Sequence, residues 1–317
     1  MKKVPALALL AALVLIQFPA VAQQLYKPTR INKAIELFEQ KQPAYYTYGA
    51  GGYQEGKALA KTWADIVLYD MEHAPLDFTR LREFMQGLAD GGPTPSGHRT
   101  PAVIVNLPLL GIDASAVRAG HWMIEQALAA GVHGLHLCRA RSPEAIRAYV
   151  QCARYPHHLE KVGESLDEGL RGMGSQKYAS KIWGATEEQY LDIADLWPLN
   201  PRGEIVLGVK IEDRHCLDNV EASLKVPGIA FVDWGPRDMG LSFGVPTNNA
   251  DPPHPKVLQE AMNRVLASVK ANRLFFLDNV LPSNVEARID EGVMIGAGGN
   301  REAAEKGRKY TKRQMPW

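Results

Sequence analysis

Eight short apolar runs, separated by stretches of helical periodicity, constrain this chain more than any other feature. The runs cover residues 44–48, 66–69, 102–106, 134–138, 205–211, 228–233, 273–277 and 293–297. Between and after them the spacing of apolar residues predicts helices over 54–63, 78–88, 121–130, 143–153, 217–224, 255–271, 283–291 and 301–309. Repeated strand–helix alternation makes a parallel sheet, because each helical crossover returns the chain in the same direction. Eight such units point to an α/β fold of the closed (β/α)8 TIM-barrel kind. An open doubly wound sheet is the alternative, and it usually carries a G-x-G-x-x-G first turn. Gly49-Ala50-Gly51 begins that pattern, but Gln54 stands where the third glycine belongs, so the match fails.

Two segments fall outside the alternation. Lys2-Lys3, the apolar Leu7 to Phe18 and the small residues of Ala20-Val21-Ala22 read as a signal peptide over residues 1–22. The apolar run is too short to favour a membrane span, and an uncleaved anchor is the competing reading. The remaining 23–317 then forms one barrel domain in a periplasmic or secreted protein. Residues 155–200 hold Gly169, Gly172, Gly174 and a helical pattern over 187–196 but no obvious strand. An insertion of that length serves as an active-site lid or an oligomer contact. Losing residues 1–22 removes two lysines and no acid, so a chain with 36 basic and 35 acidic residues stays near neutrality. Such a balance argues against a nucleic-acid or membrane-surface partner. Cys138, Cys152 and Cys216 match no zinc spacing and read as small core residues, with one disulfide left open.

Catalytic groups of a barrel gather where its strands end, because there a rigid sheet meets free loops. The second strand delivers Asp70, Glu72 and His73 within four positions, and Asp77 then reads as the cap of the next helix. The fifth run delivers Lys210 and Glu212. The sixth leads through Gly235-Pro236-Arg237 to Asp238. Glu212 and Asp238 come from neighbouring strands and are expected to point into solvent, where two carboxylates suit a hard divalent cation. His215 and Cys216 follow closely, but no second pair completes a zinc site. Taken singly, each acid could equally be the partner of a nearby arginine. Of Asp70, Glu72 and His73, only the histidine titrates near neutrality when unperturbed, and Asp70 is placed to orient it.

Asp-x-Glu-His-Ala-Pro at 70–75, Ile211-Glu212 and Gly-Pro-x-Asp at 235–238 resemble the HpcH/HpaI aldolase family, the metal-dependent class II pyruvate aldolases related to citrate lyase β subunits. Ala153-Arg154-Tyr155-Pro156, Leu170-Arg171-Gly172-Met173-Gly174 and Leu217-Asp218-Asn219-Val220 add to the likeness, which covers roughly residues 32 to 305. The resemblance implies a TIM barrel of the phosphoenolpyruvate/pyruvate-domain type, assembled into a homo-oligomer that is usually a hexamer. It further implies a divalent cation, Mg²⁺, Mn²⁺ or Co²⁺, on Glu212 and Asp238, with Gly235 and Pro236 beside the substrate. His73, working with Asp70, would move the proton. The implied reaction cleaves a 4-hydroxy-2-oxo acid into pyruvate, or a related 2-oxo acid, and an aldehyde.

Departures from the family pattern fall at the substrate oxygens. Its third strand usually ends in an arginine that steadies the enolate; here Asn106 stands in that place. An amide donates a hydrogen bond without charge, a loss of several kcal/mol of transition-state stabilisation at most. Lys210, where the family often has glutamine, and Arg139, just past the fourth strand, are candidates to supply the missing charge. Lys210 shares the inward face with Glu212 two residues on, whereas Arg139 could as easily pair with Glu144. Other enolate chemistry on the same scaffold, or an exported 2-oxo-acid binding protein without turnover, are the alternative functions.

Overall fold

The structure is a computed structural model that describes residues 26–247 and 251–317. The signal-peptide segment 1–22 lies outside the described residues. Nine strands follow one another among the described residues: β1 (Ala44–Gly49), β2 (Ile66–Asp70), β3 (Ala102–Leu110), β4 (Gly134–Cys138), β5 (Leu196–Trp197), β6 (Ile205–Lys210), β7 (Phe231–Asp233), β8 (Phe275–Asn279) and β9 (Val293–Ala297). All pairings are parallel. Neighbours run β4-β3-β2-β1-β9-β8-β7-β6-β5, and a further pairing of β4 with β6 closes eight strands into a barrel. This is the TIM barrel that the alternation predicts. The two-residue β5, which the sequence does not announce, pairs with the start of β6.

The strands read as continuous apolar runs because the barrel buries them on both faces, as β6 is buried along its whole length. Outward residues such as Val67, Val103 and Val209 pack under the helices, while Leu68, Ile104, Val206, Phe231, Leu277 and Ile295 fill the interior. Phe231 is fully buried, and a Cβ on Gly208 would lie 2.1 Å from its ring, so the glycine makes room for it. Burying such a side chain contributes roughly 1.5–3 kcal/mol. Below, the helix Lys33–Glu39 stoppers the barrel with Phe38, whose ring lies 4.2 Å from that of Phe275 and 6.1 Å from that of Trp197.

The 155–200 segment does not form the lid considered from sequence. It holds helices Gln176–Trp183 and Glu187–Ile193 and packs toward the loops that precede β3 and β4. Trp183 donates to the Gly131 carbonyl at 2.8 Å, and Arg99 donates to the Ile182 carbonyl at 2.8 Å. Buried Arg154, just ahead of the segment, donates to its Asp195 at 2.8 Å. No described residue of the segment lines the strand-end cavity. All three cysteines are buried free thiols. No helix among the described residues is long and apolar enough to cross a membrane.

Candidate active site

At the C-terminal ends of the strands lies a cavity of about 440 Å³, and the opening motif forms one of its walls. Asp70 is the last residue of β2. Its Oδ1 accepts the backbone N–H groups of Glu72 at 2.9 Å and His73 at 3.2 Å, so the carboxylate folds the chain into a turn around itself. Its Oδ2 lies 2.9 Å from His73 Nδ1. That contact fixes the ring and leaves Nε2 as the atom available to a substrate. Pro75 ends the turn, and Asp77 caps helix Phe78–Gly91 by accepting from the Arg80 N–H, as the sequence suggests.

The opposite wall is built by β6 and β7. Lys210 ends β6 and directs its ammonium inward, 2.5 Å from Glu72 Oε2 and 3.7 Å from Glu212 Oε2. Glu212 does not face solvent as expected from its place after a strand; it is 1% exposed. The reason is Gly235, whose left-handed backbone (φ 52°) presses the β7 turn onto it, and where a Cβ would lie 2.3 Å from the Glu212 Cβ. Beyond that glycine the chain enters helix Pro236–Ser242, which the sequence pattern did not announce, and Asp238 sits in its first turn. Asp238 is more open, and it lines the cavity together with Glu212, Gly235 and Pro236.

Arg139 does not pair with Glu144, which binds Arg147 at 2.6 Å instead. It adopts a left-handed backbone (φ 48°) just past β4. There its N–H donates to Glu212 Oε1 at 2.7 Å, and its guanidinium comes within 4.0 Å of Asp238 Oδ1. Arg139 lines an adjoining cleft of about 380 Å³ that shares Glu212 and Asp238 with the main cavity. Asn106, by contrast, stands at the floor of the main cavity between Asp70 on β2 and His136 on β4.

Charge in this site is uneven. Burial pushes the Glu212 carboxyl up to about 7; Lys210 opposes the shift, while Glu72, Asp238 and Asp233 add to it. Burial likewise raises Asp233, whose Oδ1 accepts the Gly235 N–H at 3.0 Å. For Lys210, burial alone would lower the pKa, yet the surrounding Glu212, Cys138, Asp233 and Glu72 hold it above the ordinary lysine value. Three carboxylates, of Glu72, Glu212 and Asp233, thus surround one ammonium. This surplus of carboxylate oxygens, with the buried Glu212 and the more open Asp238 lining one cavity, fits a hard divalent cation on those two residues. Glu72, Cys138 and Glu212 also place one donor atom each within 4.8 Å of one another, as do Asp70, Glu72 and His73.

The sequence assigns no role to Asp233, Tyr46 or Tyr48, all of which line the cavity, and marks Glu72 only as one of three ionisable residues in the turn after β2. Asp233 ends a strand, and Tyr46 and Tyr48 alternate inward on β1, the same signal that singled out Lys210. Glu72 is the anchor of Lys210, a partnership visible only in three dimensions.

The family model described as HpcH/HpaI aldolase/citrate lyase matches residues 109–300. Among curated proteins, the hydroxypyruvate/pyruvate aldolase of Cupriavidus necator is 32% identical over 210 residues, 65% of this chain and 64% of that enzyme. The 2-keto-3-deoxy-L-rhamnonate aldolase of Klebsiella pneumoniae is 27% identical over 214 residues, 68% of this chain and 67% of that one. The matched stretch therefore spans about two thirds of the length of these relatives. In fold, the structure of an HpcH/HpaI aldolase/citrate lyase family protein from Burkholderia cenocepacia superposes with a TM-score of 0.65 at 22% identity, covering 88% of this chain and 97% of that one.

Proposed function

From the premise that this chain belongs to the HpcH/HpaI aldolase/citrate lyase family, we propose that it is a divalent-metal-dependent carbon–carbon lyase. It would cleave a 4-hydroxy-2-oxo acid into pyruvate, or a related 2-oxo acid, and an aldehyde. The observation that carries this reading is the convergence in one cavity of the His73–Asp70 pair, the Lys210 ammonium and the Glu212 and Asp238 carboxylates.

A divalent cation on Glu212 and Asp238 would supply Lewis-acid polarisation of the 2-oxo group. His73 Nε2 takes the proton of the 4-hydroxyl, and Asp70 at Nδ1 holds the ring and stabilises the charge it gains. As the C3–C4 bond breaks, its electron pair moves toward the 2-oxo oxygen and the aldehyde leaves. Negative charge then gathers on that oxygen. Lys210 and the Asn106 amide are the groups of this chain placed to meet it. His73 then gives that proton to C3 of the enolate, which completes the 2-oxo acid, and in the synthetic direction it takes a proton from C3 and returns it to the aldehyde oxygen.

Lys210 is the group that takes over from the absent arginine. It is buried, held charged by the carboxylates of Glu212, Asp233 and Glu72, and pinned by the last of these. Arg139 acts on Glu212 through its backbone N–H, and its side chain makes only a long, exposed ion pair. Lys210→Met should therefore lower kcat by ~10²–10³-fold, the scale of a lost transition-state donor. Arg139→Met should cost far less. Both variants still bind Mn²⁺, with unchanged affinity in Arg139→Met and higher affinity in Lys210→Met, where an ammonium no longer competes for Glu212. Steady-state kinetics with calorimetry decides this, and a nearly silent Lys210→Met contradicts it.

The metal assignment is tested by titrating Mn²⁺ into Glu212→Gln and Asp238→Asn. Glutamine is the right replacement because its carbonyl still accepts the Arg139 N–H in the buried site. Binding should be lost in the first and weakened in the second. Wild-type affinity in both variants removes the site. Export by the 1–22 segment and assembly into a homo-oligomer belong to the same proposal, and cell fractionation and light scattering test them.

A further inference from the structure

Asn106 can meet a substrate oxygen only if its amide nitrogen, not its carbonyl oxygen, faces the cavity. A free asparagine at a cavity wall turns either edge outward at little cost, because both edges hydrogen-bond to water. Here the choice is fixed from behind. The strand register runs Asp70–Asn106–His136–Gly208–Phe231 across β2, β3, β4, β6 and β7. His136 thus lies directly beside Asn106, buried to 2% exposure, with its ring 5.1 Å from that of Phe231. His136 Nδ1 is 2.9 Å from Asn106 Oδ1, while His136 Nε2 is buried with no hydrogen-bond partner among the described residues. Asn106 Nδ2 likewise has none among the described residues, and the side chain lines the cavity.

The tautomer follows from the unpaired nitrogen. The Val209 carbonyl reaches the ring only outside hydrogen-bonding geometry, so a histidine carrying its proton on Nε2 would bury an N–H without a well-placed acceptor, the costlier kind of orphan, whereas a bare Nε2 lone pair is the milder one. Burial also lowers the pKa of this ring and keeps it neutral, so a single proton is shared between two nitrogens. Placed on Nδ1, it donates to Asn106 Oδ1 and satisfies the contact.

We infer that His136 is a positioning residue that locks Asn106 with its carbonyl oxygen turned away and its amide N–H groups presented to the 2-oxo oxygen of the substrate. The inference rests on the proposed 2-oxo-acid reading for its ligand, and on the His136–Asn106 geometry for its mechanism. His136 itself touches no substrate. Its effect passes entirely through the orientation of its neighbour.

The test combines three measurements on the full chain. Nitrogen-15 NMR of the wild-type histidine rings should show His136 protonated on Nδ1; protonation on Nε2 overturns the proposal whatever the variants do. In calorimetry with saturating Mn²⁺, His136→Leu should weaken pyruvate binding about tenfold, the scale of one hydrogen bond, with Mn²⁺ affinity unchanged. His136→Asn, which can place an amide donor at the δ position, should restore pyruvate binding to within about threefold of wild type. A purely packing role predicts that leucine is the better replacement and asparagine the worse. A folded His136→Leu variant that binds pyruvate like wild type overturns the proposal. Should the leucine variant fail to fold, the NMR tautomer and the asparagine variant still decide it. A wild-type protein that binds Mn²⁺ but no pyruvate refutes the functional reading instead, and the tautomer then decides the His136 geometry alone.

Discussion

Replacing His73 by alanine should slow proton transfer by ~10²–10⁴-fold while leaving the binding of Mn²⁺ and pyruvate intact. The split follows from the geometry. Asp70 spends Oδ1 on the backbone of the turn, so the turn survives the loss of the imidazole, and only Oδ2 loses its partner. His73 is exposed and packs against no core, so its removal leaves no cavity. The proposed cation ligands, Glu212 and Asp238, follow β6 and β7, across the barrel mouth. Exchange of the pyruvate methyl protons in D₂O reads the base directly. Wild-type exchange in His73→Ala would remove the assignment and make Glu72, 4.0 Å from His73 Nδ1, the next base to examine.

The largest effect on stability should come from the other end of the barrel. Asp65, at the start of β2, is fully buried and faces three cations: Lys33 at 3.0 Å, Arg308 at 2.9 Å and Arg313 at 2.9 Å. Its Oδ2 also accepts the Tyr45 N–H at 3.1 Å. Burial alone would raise its pKa, but Arg313, Lys33 and Arg308 pull the carboxyl far below the usual range. A depressed carboxyl gives stability that is present above the unfolded pKa of about 4 and is lost only as pH falls through the folded value. This contribution is therefore complete at neutral pH. Asp65→Asn keeps the shape and the acceptor oxygen but leaves three buried cations without an anion. We expect a loss of about 3–5 kcal/mol, read as a lower urea midpoint at pH 7. A midpoint within 0.5 kcal/mol of wild type, on the scale of an ordinary surface substitution, would contradict it.

Much of this architecture was legible in the sequence because a parallel barrel buries its strands completely and so writes them as apolar runs. The boundaries were harder. β3 runs on to Leu110 through Pro108, a residue that reads as a strand stop but sits exposed where the register with β4 is irregular. Helix Pro236–Ser242 escaped because seven residues with Pro at the first position carry no helical period. The Asp70–His73 contact was readable because both residues belong to one turn. The Lys210–Glu72 contact joins residues 138 apart, and no local pattern reports it. Glu212 looked like a solvated strand end because the glycine that buries it comes from the next strand.

At the centre of the proposed chemistry is the enolisation of a 2-oxo acid by this site with the help of a divalent cation. Wild-type protein stripped of metal should leave the methyl protons of pyruvate in D₂O at the buffer rate. Restoring Mn²⁺ should start steady loss of the methyl signal, and Glu212→Gln should not respond to the ion. Exchange that is equally fast in the stripped protein, or none at all in protein shown to bind both Mn²⁺ and pyruvate, would contradict it.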